Sequence, residues 1–321
     1  MRWGAVAALW AAAVVVNLVL PEGHRLREMT GGDARVWVAV ALGFGAVLGY
    51  RVLLKWLKKR VKLVASVAAA AAFSSAEVER YARHILLREI GGPGQRRLKD
   101  AKVLVVGAGG LGSAVLLYLA AAGVGEIGVI DDDTVDSSNL QRQIIHKDQG
   151  IGLPKVQSAM QAVNALNPYV EVRPYQRRFS AETVAVLEDY DLVLDGSDNF
   201  DTRYLVNALA TRAAKPLISG AITQWEGQIS LYDPAHGTPC YACVFPDRPA
   251  PGMVPSCAEA GVAAPLPGVI GAMMAMEAVK HITGAGMTLR GRLLIHDALY
   301  AETRVIEITR RPDCPVCGTT D

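Results

Sequence analysis

The sequence predicts an α/β fold in which a doubly wound sheet continues into a mixed sheet, preceded by a hairpin of two transmembrane helices. Residues 102–142 contain a short apolar run, a glycine-rich hexapeptide, an Ala/Leu-rich stretch and a second apolar run that ends in three aspartates. This order is typical of a Rossmann-like strand–helix–strand unit. Residues 3–20 and 36–57 are almost continuously apolar, which is typical of helices that cross a membrane.

Composition supports a membrane-attached protein. The chain has 321 residues, which is enough for one large α/β domain and an additional element. Its hydrophobic fraction of 51% and its mean hydropathy of +0.23 are high for a soluble protein, and the excess lies near the N-terminus. The formal net charge of +2 gives no electrostatic reason to expect a nucleic-acid partner.

The two apolar runs are separated by a polar loop over residues 21–35, and Asn17 is the only strongly polar residue of the first run. Arg51 and Lys55 can extend their charged ends from the end of the second run to the membrane surface. Four more cations follow: Lys58, Lys59, Arg60 and Lys62. Basic residues beside a span favour the cytoplasmic side. We therefore expect a multi-pass protein of the inner (cytoplasmic) membrane whose following domain is cytosolic, with a signal peptide or a misassigned start codon as the alternatives.

The predicted division of the chain has three parts. Residues 1–57 form the two membrane helices with their loop, residues 58–73 form a basic and Ala-rich linker, and residues 74–321 form one α/β domain. Ser74 and Glu77 are typical of a helix start, and this helix is predicted to stop near the glycines and proline of residues 91–94. Residues 95–99 are interpreted as a basic lead-in to the first strand.

The glycine-rich hexapeptide predicts a nucleotide-binding loop. It follows the apolar run 103–106 and precedes a helix that extends to residue 122. Its glycines let the backbone turn tightly and approach a phosphate, which also meets the N–H groups of the helix N-terminus. These glycines are Gly107, Gly109, Gly110 and Gly112. Asp131, at the end of the second apolar run 127–130, is placed to accept a hydrogen bond from a ribose hydroxyl.

The remaining elements are predicted from the same patterns. Helices are expected over residues 155–166, 181–187, 202–214 and 268–283. Strands are expected over residues 170–172, 191–194, 216–219, 293–296 and 304–309. From residue 228 onward, short strands and Pro/Gly loops predict the mixed half of the sheet.

Two polar segments follow predicted strands at the edge where an open α/β sheet binds its ligands. The first contains Arg142 and leads to Lys155, and the second contains Asp198. The two cations can neutralise a triphosphate, and the acid can hold Mg²⁺ beside it. The alternative from the residues alone is an NAD-dependent dehydrogenase, which would not need this charge compensation.

Four of the five cysteines form two Cys-X-X-Cys pairs: Cys240 with Cys243, and Cys314 with Cys317. Four thiolates at this spacing suit a closed, structural zinc site. Two disulfides or a redox pair are the alternatives, and a cytosolic setting argues against disulfides. The fifth, Cys257, lies in a loop rich in Pro and Gly, and the residues alone leave it open between a buried small side chain and an accessible thiol.

The order of these motifs resembles one family. The matching segments are Gly107-Ala-Gly-Gly-Leu-Gly112, Asp131-Asp-Asp-Thr-Val135, Ser138-Asn-Leu-Gln-Arg142, Pro154-Lys155, Ser197-Asp-Asn199, Glu226-Gly-Gln228 and the two cysteine pairs. Together, over about residues 78–318, they resemble the ThiF/MoeB/HesA adenylyltransferases, relatives of the ubiquitin-activating enzymes, and most of all the molybdopterin-synthase adenylyltransferases.

The resemblance implies an enzyme that uses ATP and Mg²⁺ to adenylate the C-terminal glycine carboxylate of a ubiquitin-like sulfur carrier ending in Gly-Gly. Such a step supports sulfur transfer for molybdopterin or thiamine-type biosynthesis. It also implies a homodimer, in which Arg83 reaches the neighbouring subunit's ATP, and Cys257 as the residue of a thioester or persulfide step. A separate sulfurtransferase is expected to supply the sulfur. Adenylation of a peptide or tRNA, and a catalytically idle membrane scaffold, stay as alternatives.

The same resemblance implies a set of nucleotide-site residues. Gly110 belongs to the phosphate loop, Asp131 contacts the ribose, and Asp198 binds magnesium. The triphosphate is held by Asn139, Arg142 and Lys155. The further members of the predicted nucleotide site are Gly107, Gly109, Gly112, Asp133, Ser138, Leu140, Gln141 and Asn199.

Overall fold

The chain separates into two units, residues 1–68 and residues 69–321. The computed structural model describes residues 2–70, 73–250 and 260–318, and the side chains of residues 9–56, 73–250 and 260–318.

The first unit is a helical hairpin. Its elements are α1 (Arg2–Val19), α2 (Arg25–Met29) and α3 (Ala34–Ala70). The predicted linker is therefore helical as far as Ala70, because neither glycine nor proline interrupts residues 50–70 and Ala, Leu and Lys are strong helix formers.

A buried polar contact closes the hairpin. Asn17 is 3% exposed, and its amide nitrogen donates to the Ala13 carbonyl at 2.8 Å and to the Thr30 hydroxyl at 2.7 Å. The Trp37 indole donates to the Thr30 carbonyl at 2.7 Å, and the Trp10 indole donates to the Trp37 carbonyl at 3.1 Å. Asn17 thus joins α1 to Thr30 at the end of α2, and the two tryptophans connect α1 and Thr30 to α3.

Among the described residues, a single stretch, Arg25–Trp56, is long and apolar enough to cross a membrane, whereas the apolar helix Leu9–Val19 is shorter. Large apolar side chains cover the outside of α3, including Val40, Leu42, Phe44 and Leu53. The predicted hairpin of helices is present, and its position in a membrane stays a prediction.

The second unit contains an eight-stranded sheet in the order β3-β2-β1-β4-β5-β6-β7-β8. The strands are β1 (Lys102–Val106), β2 (Glu126–Ile130), β3 (Glu171–Tyr175), β4 (Leu192–Asp195), β5 (Leu217–Ile222), β6 (Glu226–Tyr232), β7 (Arg292–Asp297) and β8 (Glu302–Glu307). The first five strands are parallel and the last three are antiparallel. The α/β fold with a mixed sheet is therefore confirmed.

Helices cover both faces of this sheet. They are α4 (Ser75–Leu86), α5 (Gly91–Asp100), α6 (Gly110–Ala122), α7 (Lys155–Leu166), α8 (Val184–Glu188), α9 (Phe200–Arg212), α10 (Tyr241–Val244) and α11 (Leu266–Thr283). Alternate residues of β1 enter two separate cores, Val105 with α6, α7 and α11, and Leu104 with α9 and α10. This is the alternation expected of a strand that is buried on both sides.

At the N-terminal end of the domain, the predicted start of a helix at Ser74 is confirmed. Ser74 caps α4: its hydroxyl accepts from the Glu77 N–H at 3.3 Å, and the Glu77 carboxylate accepts from the Ser74 N–H at 2.8 Å. Residues 95–99, predicted as a basic lead-in to the first strand without a helix of their own, belong to α5. The helix restarts after Gly91, whose φ of +60° accommodates the break, and Pro93 lies in the first turn, where its missing N–H costs nothing.

Candidate nucleotide site

The site is built on the loop between β1 and α6. Gly107 has a φ of +95°, and a Cβ on it would lie 3.1 Å from the Gly196 carbonyl oxygen. A Cβ on Gly112 would lie 2.0 Å from the Gly107 carbonyl oxygen. Glycine is therefore required at both positions, first by the backbone conformation and then by the contact between the loop and its own helix.

The side chain of Asp131, just after β2, stabilises this loop. Its carboxylate accepts hydrogen bonds from the Ala108 N–H and the Asp133 N–H, each at 2.8 Å. Burial raises the pKa of Asp131, and the two backbone N–H groups act in the opposite direction. Because an ionised carboxylate can accept about four hydrogen bonds, both oxygens keep an acceptor position for the predicted ribose contact.

The segment after β2 folds over the loop. Asp136 caps a short 3-10 turn, Ser137–Asn139, and the Ser138 hydroxyl donates to its carboxylate at 2.5 Å. The Arg142 guanidinium donates to the Ser138 carbonyl at 3.3 Å. The Cγ atom of Arg142 lies 3.7 Å from the position that a Cβ on Gly110 would occupy. This segment also contains Leu140, which is half-buried, and Gln141, which is exposed. Arg142 is thus placed directly beside the glycine loop.

Lys155 lies at the first residue of α7, and its ammonium is held rather than free. Its side chain is 5% exposed, and Nζ lies 2.7 Å from a carboxylate oxygen of Asp133. The Lys155 N–H also donates to the Asp133 carbonyl at 2.9 Å. This places the cation at the carboxyl end of β2, close to Asp131.

The second acidic turn meets the glycine loop because β1 and β4 are adjacent and parallel, with Val106 opposite Asp195. Gly196 donates its N–H to the Val106 carbonyl at 2.9 Å. Asp198 is exposed on this turn, and the side chain of Asn199 accepts from the Thr202 N–H at 2.9 Å to cap α9.

Asp195 is fully buried, as expected of a structural residue. It accepts from the hydroxyls of Ser197 and Ser219 at 2.6 and 2.8 Å.

The structure therefore brings the glycine loop, Arg142, Lys155 and Asp198 to one edge of the sheet. Two predicted residues are not part of this arrangement. Arg83 is exposed on α4 and forms no hydrogen bond or ion pair with another residue among those the structure describes. Cys257 lies outside the described residues, so its role stays a prediction.

His146 contacts the glycine loop but is not among the site residues predicted from the sequence. His146 is buried, with Nε2 2.9 Å from the Ala108 carbonyl oxygen and Nδ1 2.9 Å from the Ser158 hydroxyl. Burial lowers the pKa of His146, and its hydrogen bond to Ala108 acts in the opposite direction. Because a carbonyl can only accept, the neutral ring donates from Nε2, and Nδ1 accepts from Ser158. In the sequence, the only indication of this role is that His146 lies in the segment between β2 and α7, which folds over the glycine loop.

The four cysteines of the two pairs are free, buried and close together, with all four Sγ atoms within 4.8 Å of one another. Sγ–Sγ distances are 3.6 Å for Cys240 and Cys314, and 3.3 Å for Cys243 and Cys317. Zinc bound tetrahedrally at about 2.3 Å from each sulfur requires separations of about 3.8 Å. The donor set therefore fits a zinc ion, which would join the C-terminal segment to α10.

The ThiF family profile matches residues 81–316. This chain belongs to the ThiF family. The predicted family is thereby confirmed, and the ordered motifs of the nucleotide site fall inside the matched residues.

Three characterised relatives agree with this assignment. The chain is 51% identical over 247 residues to the sulfur carrier protein adenylyltransferase of Thermus thermophilus, a match covering 75% of this chain and 91% of that protein. It is 47% identical over 243 residues to the SAMP-activating enzyme E1 of Haloferax volcanii, covering 75% and 89% of the two chains. It is 50% identical over 250 residues to the probable adenylyltransferase/sulfurtransferase MoeZ of Mycobacterium tuberculosis, covering 77% of this chain and 64% of MoeZ.

Solved structures share the fold of this ThiF-family chain. The crystal structure of Escherichia coli MccB with ATP matches with a TM-score of 0.64 and 25% identity, covering 76% of this chain and 75% of MccB. The crystal structure of PaaA matches with a TM-score of 0.65 and 25% identity, covering 86% and 90%.

The burial of His146 predicts a pH-dependent stability, because burial lowers the pKa of its imidazole. The unfolded imidazole binds a proton near its ordinary pKa of about 6.5, whereas the folded one binds it only at lower pH. The unfolded state thus binds more protons below about pH 6.5, and stability falls as the pH decreases. His146→Gln should reduce this fall in thermal denaturation measured between about pH 7.5 and pH 5.5. Parallel curves for the two proteins would contradict the assignment.

The cysteine cluster predicts bound zinc. Metal analysis of the purified chain should find about one zinc ion per chain. Cys317→Ser should lose the metal and lower the midpoint of thermal unfolding, because a closed four-thiolate site contributes folding free energy. Cys257→Ser is the matched control and should retain the zinc. Equal zinc contents in both variants would refute the site.

Proposed function

We propose that this ThiF-family chain is an ATP-dependent adenylyltransferase that activates the C-terminal glycine carboxylate of a ubiquitin-like sulfur carrier. The observation that carries this proposal is the meeting of Arg142 and the Asp198 turn at the glycine loop. The name of the Thermus relative, a sulfur carrier protein adenylyltransferase, supports the carrier as substrate. Relatives named as adenylyltransferases and as an E1 favour this reaction over hydride transfer. Molybdopterin or thiamine-type biosynthesis is the process such sulfur transfer would serve.

In the proposed reaction, a carboxylate oxygen of the carrier's last glycine attacks the α-phosphorus of ATP. A new C(=O)–O–P bond forms, the bond between the α-phosphorus and the α–β bridging oxygen breaks, and pyrophosphate leaves with that oxygen. The attacking group is already ionised at neutral pH, so no general base is needed. Rate acceleration then depends on positioning the two reactants and on neutralising charge.

The site offers groups for each of these tasks. The glycine loop and the N-terminus of α6 present backbone N–H groups to a phosphate. Arg142, beside Gly110, is placed to meet the triphosphate. Lys155 would exchange its contact with Asp133 for a phosphate oxygen, because Asp133 is 66% exposed and free to turn outward. Asp198, with its exposed carboxylate, is the proposed ligand for Mg²⁺, which would supply further charge neutralisation at the phosphates.

We propose a homodimer in which Arg83 of one subunit reaches the ATP of the other. The exposure of Arg83 and its lack of a partner among the described residues support this assignment. The first unit would anchor the enzyme in the inner membrane, with the catalytic domain in the cytosol where ATP is available. The exposed apolar side chains of α3 support this anchor.

The test of the proposed function is ATP–pyrophosphate exchange. Asp198→Ala should lower the exchange rate at least about 100-fold, because charge neutralisation at the phosphates is lost. The midpoint of thermal unfolding should stay unchanged, because Asp198 is exposed. Asp201→Ala removes another exposed carboxylate, in the first turn of the following helix α9, that forms a surface ion pair with Arg248, and should keep the exchange activity. Near-normal exchange in Asp198→Ala would refute the role of this residue.

A mixing experiment extends this test to Arg83. Arg83→Ala should be inactive alone, and so should Asp198→Ala. A mixed dimer of the two variants contains one site with both residues intact, so mixing should restore part of the activity. No recovery in dimers shown to exchange subunits would refute the action of Arg83 across the interface.

The proposed anchor predicts that the full chain stays in the membrane fraction after alkaline carbonate extraction and is released by detergent. Leu42→Arg should weaken this retention, because a cation in the middle of a span costs about 2.5–3.5 kcal/mol, whereas Leu42→Ala should keep it. Proteolysis of intact spheroplasts should leave the catalytic domain uncut. Extraction of the unmodified chain by carbonate would refute the anchor.

A further inference from the structure

Arg203 connects three parts of the catalytic domain from a buried position. It lies on α9, close behind the Asp198 turn, and is 6% exposed. One terminal nitrogen, Nη2, donates to the Ser197 carbonyl at 2.7 Å and to the Gly220 carbonyl at 3.0 Å. Its Nε lies 3.5 Å from a carboxylate oxygen of Asp195. The guanidinium therefore joins the turn after β4 to the end of β5.

The contact to Ser197 falls on the peptide that carries Asp198. The carbonyl of Ser197 belongs to the peptide bond between these two residues, so the hydrogen bond from Arg203 sets the orientation of that peptide plane. The side chain of Asp198 forms no hydrogen bond or ion pair with the described residues. The backbone therefore determines the direction of the Asp198 side chain, and the hydrogen bond from Arg203 fixes that backbone.

The guanidinium also lies near an aromatic ring in the cysteine segment. Its central carbon lies 5.9 Å from the centre of the Tyr241 ring, and Tyr241 lies between Cys240 and Cys243 in the sequence. The Tyr241 N–H donates to the Asn207 side chain of α9 at 2.8 Å. A buried cation over an aromatic ring is a favourable contact. Helix α9, the Tyr241 ring and the cysteine cluster thus form one packed block.

We propose that Arg203 is a positioning residue that fixes the Ser197–Asp198 peptide and connects it, through Tyr241, to the four-cysteine cluster. The importance of this peptide for activity rests on the proposed function. The connection from the peptide through Arg203 and Tyr241 to the cysteine cluster does not depend on that function. The planar guanidinium holds its Nη2 and Nε in a fixed fork beside two carbonyl oxygens and a carboxylate, and the compact ammonium of lysine does not reproduce this geometry. The cluster therefore has a second role besides joining the C-terminal segment to the domain: it supports the group that orients Asp198.

Hydrogen exchange measured by mass spectrometry tests this link without requiring any activity. In Arg203→Lys, the amides of residues 196–199 should exchange about 10- to 100-fold faster than in the unmodified chain, because a charged hydrogen bond to this turn is lost. The amides of α6 should be unchanged. Arg212→Lys is the matched control, since Arg212 is exposed in the last turn of the same helix. Tyr241→Leu should accelerate exchange of the same four amides by a smaller factor while zinc is retained.

The activity readout separates positioning from stability. In Arg203→Lys, kcat for ATP–pyrophosphate exchange should fall about 10- to 100-fold and the half-saturating Mg²⁺ concentration should rise, while KM for ATP changes little. Arg212→Lys should match the unmodified chain. If Arg203→Lys lowers the midpoint of thermal unfolding and accelerates amide hydrogen exchange evenly through the domain, the residue is only structural and the proposal is overturned.

Two further outcomes are distinguishable. Unchanged amides in Tyr241→Leu would overturn the connection to the cysteine cluster. If the unmodified chain shows no ATP–pyrophosphate exchange but Arg203→Lys loosens residues 196–199 selectively, the proposed function fails and the positioning role of Arg203 stands.

Discussion

The site depends on the close approach of two backbone turns, one after β1 and one after β4. A Cβ on Gly107 would lie only 3.1 Å from the Gly196 carbonyl oxygen, and the φ of +95° at Gly107 independently favours glycine. This approach follows from the sheet order, because β1 and β4 are parallel neighbours whose last residues, Val106 and Asp195, are in register. The strand order reverses at this point, since β2 and β3 lie on one side of β1 and β4 and β5 on the other. Such a reversal opens a crevice in which open α/β sheets bind their ligands.

Around this crevice, buried groups hold the backbone and exposed groups remain for a ligand. His146 and Asp131 bind the carbonyl and the N–H of Ala108, so that the loop is fixed on both sides of one residue. Asp195 and Arg203 fix the opposite turn. Asp131 keeps an acceptor position on each carboxylate oxygen for the predicted ribose contact. The buried polar atoms of the two turns are thus satisfied while Asp198 stays exposed and Arg142 stays beside Gly110.

The parts of this structure that could be predicted from sequence are those with local causes. The cap at Ser74, the glycine loop and the Cys-X-X-Cys pairs each follow from residues a few positions apart. The roles of His146 and Arg203 could not be predicted in this way. His146 meets Ala108 from 38 residues away. Arg203 joins Ser197, 6 residues away, to Gly220, 17 residues away, a connection that exists only once β4 and β5 lie side by side. Helix α5 does not follow from its sequence, because the glycines and proline of residues 91–94 are helix breakers in isolation, yet they occupy the first turn, where the helix tolerates them.

The pair of Lys155 and Asp133 shows how a buried cation can be ready for a phosphate. The side chain of Lys155 is 5% exposed, and burial of a charge without a counter-charge would destabilise the fold. Asp133 supplies that counter-charge from the exposed side, so it stabilises the charged lysine without closing the crevice. In the proposed reaction, a phosphate oxygen would replace the Asp133 carboxylate as the counter-charge of Lys155, and the displaced carboxylate, already 66% exposed, would stay hydrated. The exchange of one anion for another therefore needs little net desolvation, whereas binding to an unpaired, hydrated lysine would require the full removal of its water.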